Sequence, residues 1–485
     1  MVKLKYLLLM LIANNLVSIG QTQLGQNIEA SETYFAMASS VSSSVDGNRV
    51  AVGGYGKSDY GFKVYNFDGA NWIQVGNDLN TQYPNEISVY TVSLSADGNR
   101  IAVGAVINQY PNDSGYVKIY DFDGSNWIQI GSTLQGESNS DFFGSRISFS
   151  ANGSRLIVGS KFNNNSYGNA RVFQFNGSDW IQIGDDLDPD DGPYYFGTSV
   201  SISPDGQRIA VGANQFINPI TNAGGLVKAY EFVGDNWVQI GEDLYGENSG
   251  DNFGISHSFS GNGSRIAIGA SEIISREGYV KIFDFSGSDW NQVGLTLNGE
   301  AQGDYFGRKV TLSSDGTRLA IGSPSNTQNG NRPGLVRLFQ FQNSNWFHLG
   351  EDIEGDFELD RFGRTVSLSS DGNTIIIGAL DYVYQQSGTE SGYAKVYDLS
   401  ELVLSINDFS TSKYIIYPNP AKETIQIVDY NKIKDLMIFD SLGRLVLRSS
   451  DILKTIDIST LQRGVYYVNL LDLNNKRLTI KMIKD

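Results

Sequence analysis

Between residues 22 and 400 the chain is written in short runs in which apolar and polar positions alternate, the period of strands with one buried face. One stretch shows the unit. Thr198–Ser203 (TSVSIS), Arg208–Gly212 (RIAVG), Leu226–Phe232 (LVKAYEF) and Trp237–Ile240 (WVQI) read as four strands, with Asp205-Gly206 as a hairpin signal between the first two. Equivalent dipeptides stand at Asp46-Gly47, Asp97-Gly98, Asn152-Gly153, Asn262-Gly263, Asp315-Gly316 and Asp371-Gly372, giving seven copies at steps of 51, 55, 53, 57, 53 and 56 residues. A glycine follows the first member of each dipeptide by seven residues, from Gly53 to Gly378. All six tryptophans (Trp72, Trp127, Trp180, Trp237, Trp290, Trp346) occupy one position of the unit, seven residues after an aromatic. Four antiparallel strands written seven times predict an all-β fold, a seven-bladed β-propeller over residues 21–400.

The count also predicts how the ring closes. The seventh copy ends at Tyr397-Asp398-Leu399 without a Trp strand, whereas Gly25 stands 21 residues before Asp46, just as Gly76 stands 21 before Asp97. The N-terminal segment is therefore expected to supply the missing fourth strand of the last blade and to remove two open sheet edges.

The two ends follow other rules. Residues 1–20 combine Lys3 and Lys5, an apolar run (YLLLMLIANNL) and small residues at Ser18 and Gly20, the pattern of a cleavable signal peptide. The run is shorter than the ~20 residues of a spanning helix, and no later segment is expected to cross a membrane as one. Residues 401–412 read as a linker. Residues 413–485 return to short alternating strands, six or seven of them, split by turn signals such as Asn419-Pro420 and Asn474-Asn475, which predicts a small Ig-like β-sandwich.

Two resemblances sharpen these expectations. Tyr417-Pro418-Asn419-Pro420, Asp440-Ser441-Leu442-Gly443-Arg444 and Leu461-Gln462-Arg463-Gly464-Val465-Tyr466, followed by a lysine-containing last strand, resemble the C-terminal sorting domain of the type IX secretion system of the Bacteroidetes. The resemblance implies passage through the periplasm, export across the outer membrane with removal of the domain, and the secretion machinery as a partner of residues 413–485. In the repeats, Phe143-Gly144, Phe196-Gly197, Phe253-Gly254, Phe306-Gly307 and Phe362-Gly363 open the first strand, and pairs such as Gly104-Ala105 and Gly212-Ala213 close the second. That order is similar to the FG-GAP repeat of integrin α-subunit propellers, although the first two copies have Met37-Ala38 and Ser88-Val89 where Phe-Gly is expected. The family often binds calcium through D-x-D-x-D-G loops; the turns here hold one acid at most, such as SPDGQR. No cofactor is expected in them, a calcium requirement of the acidic links stays open, and no metal ligand is named. A lone Asp before Gly reads instead as the φ > 0 position of a tight turn.

Composition narrows the function. With no cysteine and two histidines (His257, His348), the chain lacks disulfides, thiol nucleophiles and a His-rich metal site. A net charge of −17 argues against nucleic acid as a partner. Removing the leader's two lysines and the 12 basic and 8 acidic residues of 411–485 leaves residues 21–410 at −23. One Arg per copy at a fixed turn offset, Arg49 to Arg318, reads as a structural pairing, and the tryptophans as packing between blades. Length varies between strands two and three, and acids gather in the links between copies, so one face is irregular, polar and acidic. The leading expectation is a secreted or surface-displayed, non-catalytic binding or adhesion protein with an extracellular glycan or protein ligand. Its candidate binding acids are Asp141, Asp190, Asp191, Asp251, Asp304 and Asp360, with no catalytic residue named. A polysaccharide-degrading enzyme using acids of Asp185–Asp191 or Glu351–Asp360 is the alternative, and a surface-layer component a third.

Overall fold

Alternation becomes sheet throughout the computed structural model, which describes residues 20–29, 36–55, 61–77, 79–80, 87–107, 114–189, 195–218, 220–271, 277–325, 333–358, 360–380, 392–402, 416–418, 420–427, 430–440, 444–449, 454–472 and 477–485. The chain forms two compact units, Met1–Leu402 and Val403–Asp485. Strands dominate both, and the α-helical content among the described residues is the four-residue Asn163–Ser166. Residues 1–19 of the expected leader and 403–412 of the expected linker lie outside the described residues.

In the first unit the strands form consecutive antiparallel groups. Ile87–Leu94, Arg100–Ile107, Tyr116–Phe122 and Trp127–Gln129 pair in chain order, and Leu134–Gln135 continues the outer edge along the third strand. The same order begins again at Ala36, Phe143, Ser199, Phe253, Lys309 and Thr365. A single parallel pairing, Gly225 with Phe253, joins two of these groups into one ten-stranded sheet. The last group takes its outer edge from the N terminus. Thr22–Gln23 pairs with Asp398 and Tyr397, and Ile28–Glu29 with Ala394 and Tyr393. Leu24 N donates to Val396 O at 2.8 Å, the counterpart of Ile130 N to Ile119 O at 2.9 Å.

Each recurring residue has a physical task. In the turn at Asp97, the Ser95 hydroxyl and Asn99 N donate to the carboxylate (2.6 and 3.0 Å), while Arg100 N donates to Ser95 Oγ (3.0 Å). Gly98, at φ +69°, is the left-handed residue; Asp97 does not hold that position as expected, but serves as the acceptor that closes the turn. The Arg100 guanidinium grips Asp121 of its own group, donates to Gly153 O of the next turn (3.0 Å) and lies 4.8 Å from the Phe175 ring centroid. Arg49, Arg155, Arg208, Arg265 and Arg318 reach the next turn's glycine carbonyl in the same way. Trp127 is buried, and its indole N–H donates backward to Val75 O (3.1 Å); Trp72 makes the equivalent bond to Leu24 O (2.8 Å), using the N-terminal segment as its preceding strand.

The Phe-Gly and strand-closing glycines meet each other. A Cβ on Gly104 would lie 1.9 Å from Gly144 O, and one on Gly269 2.0 Å from Gly307 O, so backbone packs on backbone between successive groups. Phe143, Phe196, Phe253, Phe306 and Phe362 beside these contacts are fully buried. Along the inner edge of the first strands, hydroxyls of the preceding group satisfy amides: Val92 N, Phe149 N and Val310 N donate to Ser40, Ser93 and Ser256 Oγ at 3.0 to 3.1 Å. Between the last and first groups, Thr365 Oγ1 donates to Ala38 O (2.8 Å) and the Ser43 and Ser367 hydroxyls lie 3.1 Å apart.

The second unit holds two sheets. Ile416–Tyr417, Thr424–Ile427 and Thr455–Asp457 form one; Leu445–Ser449, Ile433–Asp440, Gly464–Asp472 and Arg477–Lys484 form the other. Both contribute to a common core that includes Ile425, Leu436, Ile438, Ile458, Val468 and Met482.

Candidate functional site

The first strands of the groups converge on one cavity of about 730 Å³. Its lining comprises 39–42, 91–93, 146–148, 199–202, 255–259, 308–311 and 364–367, together with Lys161, Pro204 and Leu380. Much of the wall is Ser and Thr, the hydroxyls that serve the inner strand edges. Five residues break that pattern: Arg146, Lys161, Arg308, Lys309 and Arg364. No Asp or Glu lines the cavity among the described residues, although residues 21–410 carry −23 overall.

Like charges held together depress one another's proton affinity. Burial, and then the Arg146 charge, push the Lys309 ammonium down to about 8. Arg308 is pushed down to about 10, by burial first and then by Arg364 and Arg146. Lys161 is lowered by burial and by Arg146 and Arg308. His257 lies in the same wall, 5 % exposed, with Nδ1 2.7 Å from Ser201 Oγ and Nε2 lacking a hydrogen-bond partner. Burial, only partly offset by a backbone bond involving Ser199, pushes its pKa down to about 3, so the ring is neutral at physiological pH. Beside Lys161 stand three aromatic rings: Phe142 to Phe162 at 4.8 Å and Phe162 to Tyr195 at 5.3 Å between centroids, both edge to face. The Lys161 ammonium is 4.8 Å from the Phe162 centroid.

The acids expected at a binding face are placed otherwise. Asp141, Asp251, Asp304 and Asp360 are all buried. Asp141 accepts from Glu137 N and Ser138 N, Asp251 from Glu247 N, Asn248 N and the Tyr279 hydroxyl, Asp304 from Ala301 N, and Asp360 from Phe357 N and the Tyr393 hydroxyl. Each carboxylate organises the loop that carries it. Asp190 and Asp191 lie outside the described residues. In the links, Asp352 is bonded by Arg337 and His348, which outweigh its burial and hold its carboxyl well below the usual range. Asp356 pairs with Lys395, and Asp185 accepts from Asn236. No group of three or more metal-ligating side chains occurs among the described residues.

The sorting-motif residues fall in the second unit. Tyr417 pairs with Gln426, and Pro418 and Pro420 are exposed. Arg444 caps its turn through Asp440 (2.7 Å), and the buried Tyr466 donates to Gln462 O (2.8 Å) just ahead of the strand opened by Gly464. Asn419 and Gly443 lie outside the described residues.

The cations were missed because they are scattered by some two hundred residues of sequence. A signal existed: FGSR, FGRK and FGRT place a base within three residues of Gly144, Gly307 and Gly363, where other copies have Thr198-Ser199 or Ile255-Ser256.

Residues 415–485 match the family described as the secretion system C-terminal sorting domain. That domain is an address for type IX secretion, so the chain is exported by that machinery as a secreted or cell-surface protein. No curated protein matches the chain. Among solved structures, that of U3-55K is similar at 11 % identity, covering 79 % of this chain and 99 % of its own, with a TM-score of 0.48. The Dos1 propeller is similar at 12 % identity, covering 78 % and 95 %, with a TM-score of 0.47. The β-propeller domain of Cps50 (Swd1) from Myceliophteria thermophila follows at 11 % identity, 58 % and 79 % coverage, and a TM-score of 0.39. No described helix is long and apolar enough to cross a membrane.

Proposed function

We propose that the first unit is a seven-bladed, FG-GAP-like propeller closed by its N-terminal segment, and that it acts outside the cell as a non-catalytic binding or adhesion module delivered by the sorting domain. One observation carries the reading: the first strands of all the groups line a single cavity whose described wall has cations and hydroxyls but no carboxylate. Acid–base cleavage of a glycan calls for a pair of carboxyl groups about 5–10 Å apart at the site. Three acids of the Glu351–Asp360 link, Asp352, Asp356 and Asp360, are instead engaged by Arg337, Lys395 and Tyr393. The closure is supported by Leu24 occupying toward Trp72 the place that Val75 occupies toward Trp127.

A glycan and matrix-protein array with the secreted protein tests the binding reading. Saturable capture of at least one ligand, with no change in that ligand's chain length, is expected; depolymerisation of a captured polysaccharide contradicts it. Deleting Gln21–Glu29 is expected to abolish cooperative unfolding or lower Tm by well over 10 °C, roughly the loss of several kcal/mol; an unchanged Tm contradicts the closure. Truncation after Ser410 is expected to leave the protein in the periplasm, as seen by cell fractionation.

A further inference from the structure

We infer that the cationic part of the first-strand cavity is a binding site for an oxyanion, the carboxylate or sulfate of an acidic saccharide. The inference deepens, and rests on, the reading of the first unit as a binding propeller.

These cations are not part of the repeat. Two residues beyond the Phe-Gly glycine, the copies carry Arg146, Ser199, Ser256, Lys309 and Thr365; one residue beyond it they carry Ser145, Thr198, Ile255, Arg308 and Arg364. Elsewhere these positions hold Ser, Thr or Ile, and Ser256 shows what a hydroxyl does there: it accepts the amide of Val310 across the strand edge. Arg146, Arg308, Lys309 and Arg364 bring positive charges together in a part-buried space, and an anion there would relieve their mutual repulsion. They come from the third, sixth and seventh copies, and Lys161 joins them from the end of Arg155–Ser160. A guanidinium fork suits both carboxylate and sulfate.

A second observation is independent of charge. The His257 Nε2 and Ser145 Oγ atoms are buried without a hydrogen-bond partner, and His257 is part of the cavity wall. Unmet polar groups in a native wall call for a ligand or an ordered solvent molecule. The small cavity within a strongly acidic unit favours a ligand with one or a few anionic groups near its end. A polyanion charged at every residue, such as nucleic acid, meets repulsion over the rest of the surface.

Isothermal titration of the full-length secreted protein provides the test, with a sulfated disaccharide, a digalacturonate, an uncharged digalactoside and inorganic sulfate as probes. One or both charged disaccharides are expected to bind and the digalactoside not to, and whichever anion binds identifies the source. Lys309→Met and Arg146→Gln are each expected to weaken binding about tenfold, the scale of one charge-assisted hydrogen bond, while circular dichroism shows an unchanged fold. Equal affinity for the neutral disaccharide, no binding of any charged probe, or full affinity in both variants overturns the site. If array ligands are still captured equally by wild type and Lys309→Met, the propeller remains a binding module and only this site falls.

Discussion

Two sets of charged residues stand beside the Phe-Gly step in the third, sixth and seventh copies, a few positions apart, and they meet opposite fates. The aspartates two residues before it (Asp141, Asp251, Asp304, Asp360) are 1–2 % exposed and spend their carboxylates on their own loops. The bases one or two residues after its glycine (Arg146, Arg308, Lys309, Arg364) are half-buried and line the shared cavity. The aspartate recurs in four copies, where it closes the same loop with the same amide, and Tyr194 stands in its place in the fourth copy. The base occurs in some copies only, so its presence answers to something other than the repeat. In a repeat protein, what recurs is read as architecture and what departs from the recurrence as function.

The largest effect should come from breaking the acid side. Asp251→Ala leaves Asn248 N and the Tyr279 hydroxyl without this acceptor and Glu247 N with the Tyr279 oxygen alone, and the expected loss is about 3 kcal/mol in a denaturant titration. The folded fraction should bind anionic disaccharide as well as wild type. On the base side the sign reverses. Lys309→Met removes a charge that Arg146 and burial both disfavour, so stability at pH 7 should rise by about 1 kcal/mol while binding weakens. The pH dependence separates the two sets further. The folded Lys309 pKa, at about 8, lies below its ordinary 10.5, so the folded state holds fewer protons than the unfolded one between these values. Stability should therefore climb from pH 8 toward 10.5 relative to the Lys309→Met variant, and anion affinity should fall over the same range; Arg146, Arg308, Arg364, Lys161 and neutral His257 are the titratable groups around it. A flat difference between the two proteins would refute the assignment. The smallest effect belongs to the step itself in the first copy, where Ala38 stands in for glycine at φ +61°. Ala38→Gly should gain about 1 kcal/mol, readable as a few degrees in Tm.

Much of the fold was legible because the repeat reports its own geometry. The glycine at Gly104 is fixed by the carbonyl of Gly144, and Trp72 by the carbonyl of Leu24, so spacing alone located both the strand edges and the pairing of the N-terminal segment with Tyr393–Asp398. The outer edge proved to be two short strands rather than one, since the chain turns at Gly25 between Thr22–Gln23 and Ile28–Glu29. The site was far less legible. Acidity was conspicuous in the composition, yet Asp251 and Asp360 are consumed by backbone amides and phenols, a use that periodicity does not reveal. Arg146 and Arg364 stand more than two hundred residues apart in sequence, and only the convergence of first strands brings them to one wall.

Anomalous diffraction from crystals soaked in selenate, an oxyanion of sulfate geometry, tests the central claim most directly. A selenium peak within hydrogen-bonding distance of Lys309 and at least one of Arg146, Arg308 and Arg364 is the expected result. Selenate confined to the outer surface, with the cavity empty, would contradict it.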